Sequence, residues 1–163
     1  KIESVTEIAQ ALVCIPSVNP AYDSESLGEA PVVKWLEDWG WSHGLEPVRQ
    51  PCLENRDNIN FTIRNGDGRH LLFNGHTDTV SIAGMSIDPF NGDIKDGCLW
   101  GRGATDMKGP LAGMLSSLLR LRERDDWRGT LTVSCVVDEE YKYRGILSLL
   151  DANDPWDFAP SRT

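Results

Sequence analysis

Apolar positions recur along the chain with two different periods, and each change of period marks a new element. Val5, Ile8 and Leu12 follow at helical spacing, the pattern of a helix with one buried face. Ser4 and Glu7 precede and overlap them as a capping box, in which two side chains satisfy two free backbone N–H groups. Pro16 closes that segment, and the polar stretch Ser17 to Leu27 reads as a loop. A second helix is predicted over Glu29–Trp39, with Val32, Val33, Leu36 and Trp39 on one face and Gly40 or Gly44 as its stop.

The period then drops to two. Ile59, Phe61 and Ile63 alternate with Asn60 and Thr62, which predicts a strand. Asn65-Gly66-Asp67-Gly68 is a turn signal, and Leu71-Leu72-Phe73 reads as a short buried strand. From Asn74 to Thr105 the chain is polar, Gly-rich and without periodicity. An irregular run of that length in a compact domain is usually functional. Leu111, Met114, Leu115, Leu118 and Leu119 restore the helical period. Leu131, Val133, Cys135 and Val137 alternate with Thr132 and Ser134 as a further strand, and Ile146, Leu149 and Leu150 predict another helix. Strands and helices alternate, which places the chain in the α/β class.

The 163 residues suffice for one α/β domain with its own core. Sixteen basic side chains against 25 acidic ones leave a formal net charge of −9. That balance lacks the basic footprint that nucleic acid requires, and it does not suit an anionic membrane surface. No apolar run reaches the roughly 18 residues of a membrane span. Cys14, Cys52, Cys98 and Cys135 form no C-x-x-C pair and read as reduced thiols of a cytoplasmic protein. No signal-peptide pattern opens the chain, which starts on Lys1 rather than Met.

Three clusters carry candidate chemistry. Gly75-His76-Thr77-Asp78 follows the Leu71–Phe73 strand. Residues two apart in extended backbone share a side, so Asp78 is placed to orient the His76 ring, as carboxylates commonly do for metal-bound imidazoles. The plainer reading is a histidine and an aspartate on a polar loop. Asp106 lies in Trp100-Gly101-Arg102-Gly103-Ala104-Thr105-Asp106-Met107-Lys108-Gly109, which opens the amphipathic helix. An N-cap carboxylate is the structural alternative there, but capping does not call for so many glycines. Asp138-Glu139-Glu140 ends the last strand. Three successive acids repel one another unless a cation compensates. Adjacent residues in a strand point to opposite faces, so Glu139 and Glu140 have different jobs if both serve one site, one to hold a metal and the other to face its water. An imidazole with several carboxylates suits zinc, cobalt or manganese. Two such ions about 3.5–4 Å apart polarise a carbonyl and activate water.

The segments GHTDTV (Gly75–Val80), DPF (Asp88–Phe90), DGCLWGRGATDMKGPLAGM (Asp96–Met114) and DEE (Asp138–Glu140) together resemble the zinc-dependent aminoacylase and peptidase family. That family includes acetylornithine deacetylase, succinyl-diaminopimelate desuccinylase, aminoacylase and glutamate carboxypeptidase. The resemblance implies the N-terminal part of a single metal-binding catalytic domain over residues 1–163, in a three-layer α/β/α fold without the inserted lid or dimerisation domain. It implies two Zn2+ ions per full-length chain, with Co2+ or Mn2+ as substitutes. His76 would hold the first metal, Asp106 would bridge both, and Glu140 would hold the second. Asp78 would orient His76, and Glu139 would be the general base. A cis bond after Asp106 is also implied. The implied reaction is hydrolysis of the amide bond of an N-acyl amino acid or short peptide, by a full-length homodimer.

Two further ligands of the family, an Asp or Glu and a late histidine, would fall beyond Thr163, so the chain reads as a fragment. Asp151, Asp154 and Asp157 lie too early to replace them. The alternative is a truncated, inactive scaffold that holds metal poorly. Tyr141-Lys142-Tyr143-Arg144 stands where many relatives carry a small, Gly-containing segment. Lys142 and Arg144 there read as a solvated helix start or as partners for a substrate carboxylate. His43 and His70 read as structural.

Overall fold

The computed structural model describes residues 3–152, so Asp154 and Asp157 lie outside the described residues. Helix α1 spans Val5–Val13, and its capping box forms as the sequence predicts. Glu7 N–H donates to Ser4 Oγ at 3.2 Å, and Ser4 N–H donates to Glu7 Oε2 at 2.7 Å. Helix α2 spans Ala30–Ser42, beyond the predicted end at Trp39. Gly40 does not stop it. A Cβ at Gly40 would lie 2.6 Å from the Phe61 ring, so the glycine lets α2 approach the sheet. The chain instead turns after His43 at Gly44, whose φ is +67°.

The main sheet comprises β1 (Val48–Leu53), β2 (Arg56–Asn65), β3 (His70–His76) and β6 (Gly129–Val136), in the order β1-β2-β6-β3. Strand β2 is antiparallel to β1 and β6, whereas β3 runs parallel to β6. The 65–68 turn therefore closes no hairpin, because β6 inserts between the two strands it joins. Two short strands, β4 (Ile94–Lys95) and β5 (Cys98–Leu99), form a separate antiparallel pair inside the irregular stretch. Helix α3 spans Gly109–Arg122 and helix α4 spans Arg144–Asp151.

Alternation along β2 and β6 divides the core. Ile59, Phe61 and Ile63, with Leu131, Val133 and Cys135, share a cluster with Ile8 and Leu12 of α1, Val33 and Leu36 of α2, and Leu111 and Leu115 of α3. Val136 instead packs with Leu149 of α4, flanked by Leu72 and Ile146. Helices thus cover both faces, giving the expected three layers. Every residue of β6 is buried. Strand β3, predicted as buried, lies at the edge, and Leu71 is 53% exposed. Among the described residues, no helix is long and apolar enough to cross a membrane.

The parallel pairing of β3 and β6 positions the site. His76, the last residue of β3, is registered against Val136, the last of β6. Both strands release their chains at the same end, where open α/β sheets bind ligands.

Candidate metal centre

Past β3 the chain stays beside β6, because Thr77 N–H donates to the Val136 carbonyl at 2.9 Å. Asp78 is 1% exposed. Its Oδ1 accepts the Glu139 N–H at 3.0 Å, and its Oδ2 accepts the Glu140 N–H at 3.1 Å. Asp78 thus grips the backbone of both glutamates. His76 Nδ1 lies 2.9 Å from the Asp78 carbonyl and 3.4 Å from Asp78 Oδ1. Both neighbours are acceptors, so Nδ1 carries a proton, and Nε2 faces the Asp106 and Glu139 carboxylates.

Nε2 lies 3.0 Å from Asp106 Oδ1 and 3.6 Å from Glu139 Oε2. Single donor atoms of His76, Asp106 and Glu140 all fall within 4.8 Å of one another. Burial alone would lower the His76 pKa, but the hydrogen bond and charge of Asp78, then Asp106 and Glu139, raise it to about 9. The surroundings of the ring thus favour positive charge. Burial holds the Glu140 carboxyl above its ordinary range, reinforced by Asp106, Asp78 and Glu139. Burial would also raise Asp78, but His76, Asn19 and the Glu140 N–H together lower it.

Asp106 lies on a kinked turn, Ala104–Lys108, with a cis peptide bond to Met107. Its side chain makes no cap bond to α3, so the capping alternative does not describe it. Gly103, at φ +80°, brings this loop against the 77–79 segment, since a Cβ there would lie 2.8 Å from Thr79 Cγ2. Lys108 is 1% exposed and donates from Nζ to the Ile15 carbonyl at 2.6 Å. Burial pushes its pKa down to about 7.

The acidic triplet departs from the alternation expected of a strand. Strand β6 ends at Val136 and Asp138 turns at φ +64°. Glu139 and Glu140 are placed by their N–H bonds to Asp78, not by pleating. Asp138 is fully buried and has its own cations. Arg144 Nε and Nη2 donate to it at 2.6 and 3.0 Å, and Arg56 Nη2 donates at 3.1 Å. Burial would raise the Asp138 carboxyl, but Arg144, Asn19 and Arg56 hold it down at about 2. Arg144 is thus committed to Asp138, and Lys142 Nζ lies 4.9 Å over the Tyr141 ring. His43 Nδ1 lies 2.8 Å from the Trp39 carbonyl, and His70 Nε2 lies 2.8 Å from Thr132 Oγ1. Asp151 is exposed at the end of α4.

Sequence reasoning missed three participants. Asn19, Glu29 and Arg56 lie in separate parts of the chain, and their only shared signal is polarity. In the fold Arg56 joins Glu29 at 2.5 and 2.7 Å, and Asn19 links Asp78 to Asp138.

Residues 72–160 match the family described as Peptidase family M20/M25/M40. The succinyl-diaminopimelate desuccinylase of Parvibaculum lavamentivorans is 37% identical over 138 residues, covering 82% of this chain and 33% of the relative. That of Rhodospirillum centenum is 38% identical over 138 residues, covering 82% and 34%. The chain spans about a third of the length of these curated relatives. The M20 family metallo-carboxypeptidase Sso-CP2 of Sulfolobus solfataricus shares the fold at a TM-score of 0.74 and 17% identity, over 85% of this chain and 31% of that one. A dinuclear metal-binding M20 peptidase of Bacillus subtilis does so at 0.62 and 17%, over 91% and 38%. The match extends across more than half of the chain and covers β6, Asp106 and the acidic triplet, and this chain belongs to Peptidase family M20/M25/M40.

Proposed function

We propose that the full-length protein is a two-metal hydrolase that cleaves the amide bond of an N-acyl amino acid or short peptide. The observation that carries this reading is the convergence of His76, Asp106 and Glu140 within 4.8 Å, with the Glu139 carboxylate beside them. An imidazole nitrogen and two carboxylates are a donor set suited to zinc, with cobalt or manganese as substitutes. His76 would hold one ion through Nε2, Glu140 would hold the other, and Asp106 would bridge them. Bound there, the ions would supply Lewis acidity toward the amide carbonyl and lower the pKa of the attacking water.

The remaining steps belong to side chains of this chain. Glu139 takes the proton of the attacking water and returns it to the leaving amine. Its carboxylate is partly exposed and lies 3.6 Å from His76 Nε2, within reach of both solvent and the cluster. Asp78 keeps the His76 proton on Nδ1 and, by holding both glutamate N–H groups, fixes the base and the ligand relative to each other. The relatives named as desuccinylases support an acylated amino acid as substrate. The four free thiols support a reducing, cytoplasmic location.

Two measurements on the full-length protein test this. Metal analysis should find about two zinc ions per chain after supplementation. Glu139→Gln should abolish hydrolysis of N-succinyl and N-acetyl amino acids while retaining zinc. A zinc-free wild type would instead favour the inactive scaffold, and a fully active Glu139→Gln would remove Glu139 as the base.

A further inference from the structure

We infer that Asn19 is a positioning residue for the metal centre, acting through Asp78. This rests on the metal-centre reading above and extends it to a residue outside the cluster. Asn19 is fully buried. Its Nδ2 donates to Asp78 Oδ2 at 2.7 Å and to Asp138 Oδ1 at 3.1 Å, while its Oδ1 accepts the Ala21 N–H at 3.0 Å. The third bond fixes which way the amide faces. Both N–H groups are thereby spent on two buried carboxylates that would otherwise repel across the gap. A neutral amide is the side chain of this size that can donate to both without adding charge.

Backbone pairing sets the amide in place. Asn19 N–H donates to the Thr79 carbonyl at 2.8 Å, Thr79 N–H to the Ser17 carbonyl at 3.0 Å, and Ser17 Oγ to the Thr77 carbonyl at 2.7 Å. Residues 17–19 therefore run as a strap beside residues 77–79, with Val18 bridged to Thr79. Lys108 ties the chain just ahead of the strap to the Asp106 turn through the Ile15 carbonyl. A continuous path runs from Arg56 and Arg144 through Asp138, Asn19 and Asp78 to His76. Without the amide, Asp78 loses its shortest hydrogen bond and with it the restraint on both His76 and the Glu139–Glu140 backbone. Outer partners of metal ligands typically alter metal affinity or activity by about 10–100-fold when removed.

The test is zinc affinity of the full-length protein, measured by competition with a chromogenic chelator for the wild type, Asn19→Ala and Asn19→Ser. Asn19→Ala should bind zinc about 10–100-fold more weakly, and kcat should fall with KM little changed. Asn19→Ser keeps one donor in a smaller side chain and should fall between the two. It also serves where Asn19→Ala does not fold. A structural role alone would lower the melting temperature of the metal-free protein and leave zinc affinity in place. Zinc affinity of the folded variants within about threefold of wild type would overturn the inference, since that lies below the range for such partners. If the wild type itself took up no zinc, the metal-centre reading would fall, and this inference with it. Tight zinc in the wild type with equal affinity in the variants would remove the role of Asn19 alone.

Discussion

Removing the Arg56 guanidinium isolates a carboxylate with no route to water. Glu29 is fully buried, and Arg56 meets both of its oxygens, at 2.5 and 2.7 Å. In Arg56→Met the stem volume is largely kept, and among the described residues Glu29 retains the Asp138 N–H, which donates to Oε1 at 2.9 Å. Asp138 keeps Arg144 and Asn19, so the loss falls on Glu29. Breaking a buried pair on one side costs about 3–5 kcal/mol, because the remaining charge is uncompensated. For a chain of this size each kcal/mol lowers the melting temperature by about 2–4 °C, so a fall of about 6–20 °C is expected. Urea denaturation followed by tryptophan fluorescence is a direct assay, since Trp39 packs edge-on against Phe61 at 5.8 Å in the core. The double variant Glu29→Met with Arg56→Met removes both charges and should recover much of the loss, as apolar replacements of buried pairs do. A loss below about 1 kcal/mol in Arg56→Met, the range of exposed pairs, would refute the reasoning.

Other expectations are simpler to state. Arg49 bridges Glu37 at 2.8 Å and Asp57 at 3.3 Å near the surface, so Arg49→Met should cost less than about 1 kcal/mol in the same urea assay. Gly40→Ala should destabilise the protein despite the helix propensity gain of about 1 kcal/mol, because the new Cβ would sit 2.6 Å from the buried Phe61 ring; a raised melting temperature would contradict this. Cys14 and Cys98 are exposed, whereas Cys135 is buried with its thiol pushed up by burial. Alkylation followed by peptide mass spectrometry should therefore label the first two in the native protein and Cys135 only after unfolding.

The elements written in local pattern were legible, and those made by distant partners were not. The capping box at Ser4 and Glu7 and the apolar stripe of α3 report their own geometry. So does the alternation of Leu131, Val133 and Cys135. Strand β1 escaped because Val-Arg-Gln-Pro-Cys-Leu neither alternates nor lacks proline. Its pairing with β2 shifts between Pro51 and Leu53, as an edge strand tolerates. The members of the candidate site stood out less as residue types, since exposed acids are common, than through the combined segments Gly75–Val80, Asp96–Met114 and Asp138–Glu140. Their arrangement did not. Strand logic for Glu139 and Glu140 failed because the chain leaves the sheet at Val136. The cations that compensate Asp138 come from 82 residues upstream and six downstream, so no window of sequence holds both.

The place of β6 has a consequence for how the molecule is made. It is one of two inner strands, yet it is the last of the four described strands to leave the ribosome. Strands β2 and β3 have emerged long before; β2 can already pair with β1, but the other edge of β2 and the paired edge of β3 both take their native partner from residues 129–136. During synthesis His76 therefore waits at the end of an unpaired segment, with the acidic triplet not yet translated. Such delayed, non-local pairing slows folding and leaves strand edges open. Ribosome-stalled chains whose residues 129–136 have not emerged should thus be sensitive to protease across residues 70–76, and chains in which those residues have emerged should be resistant.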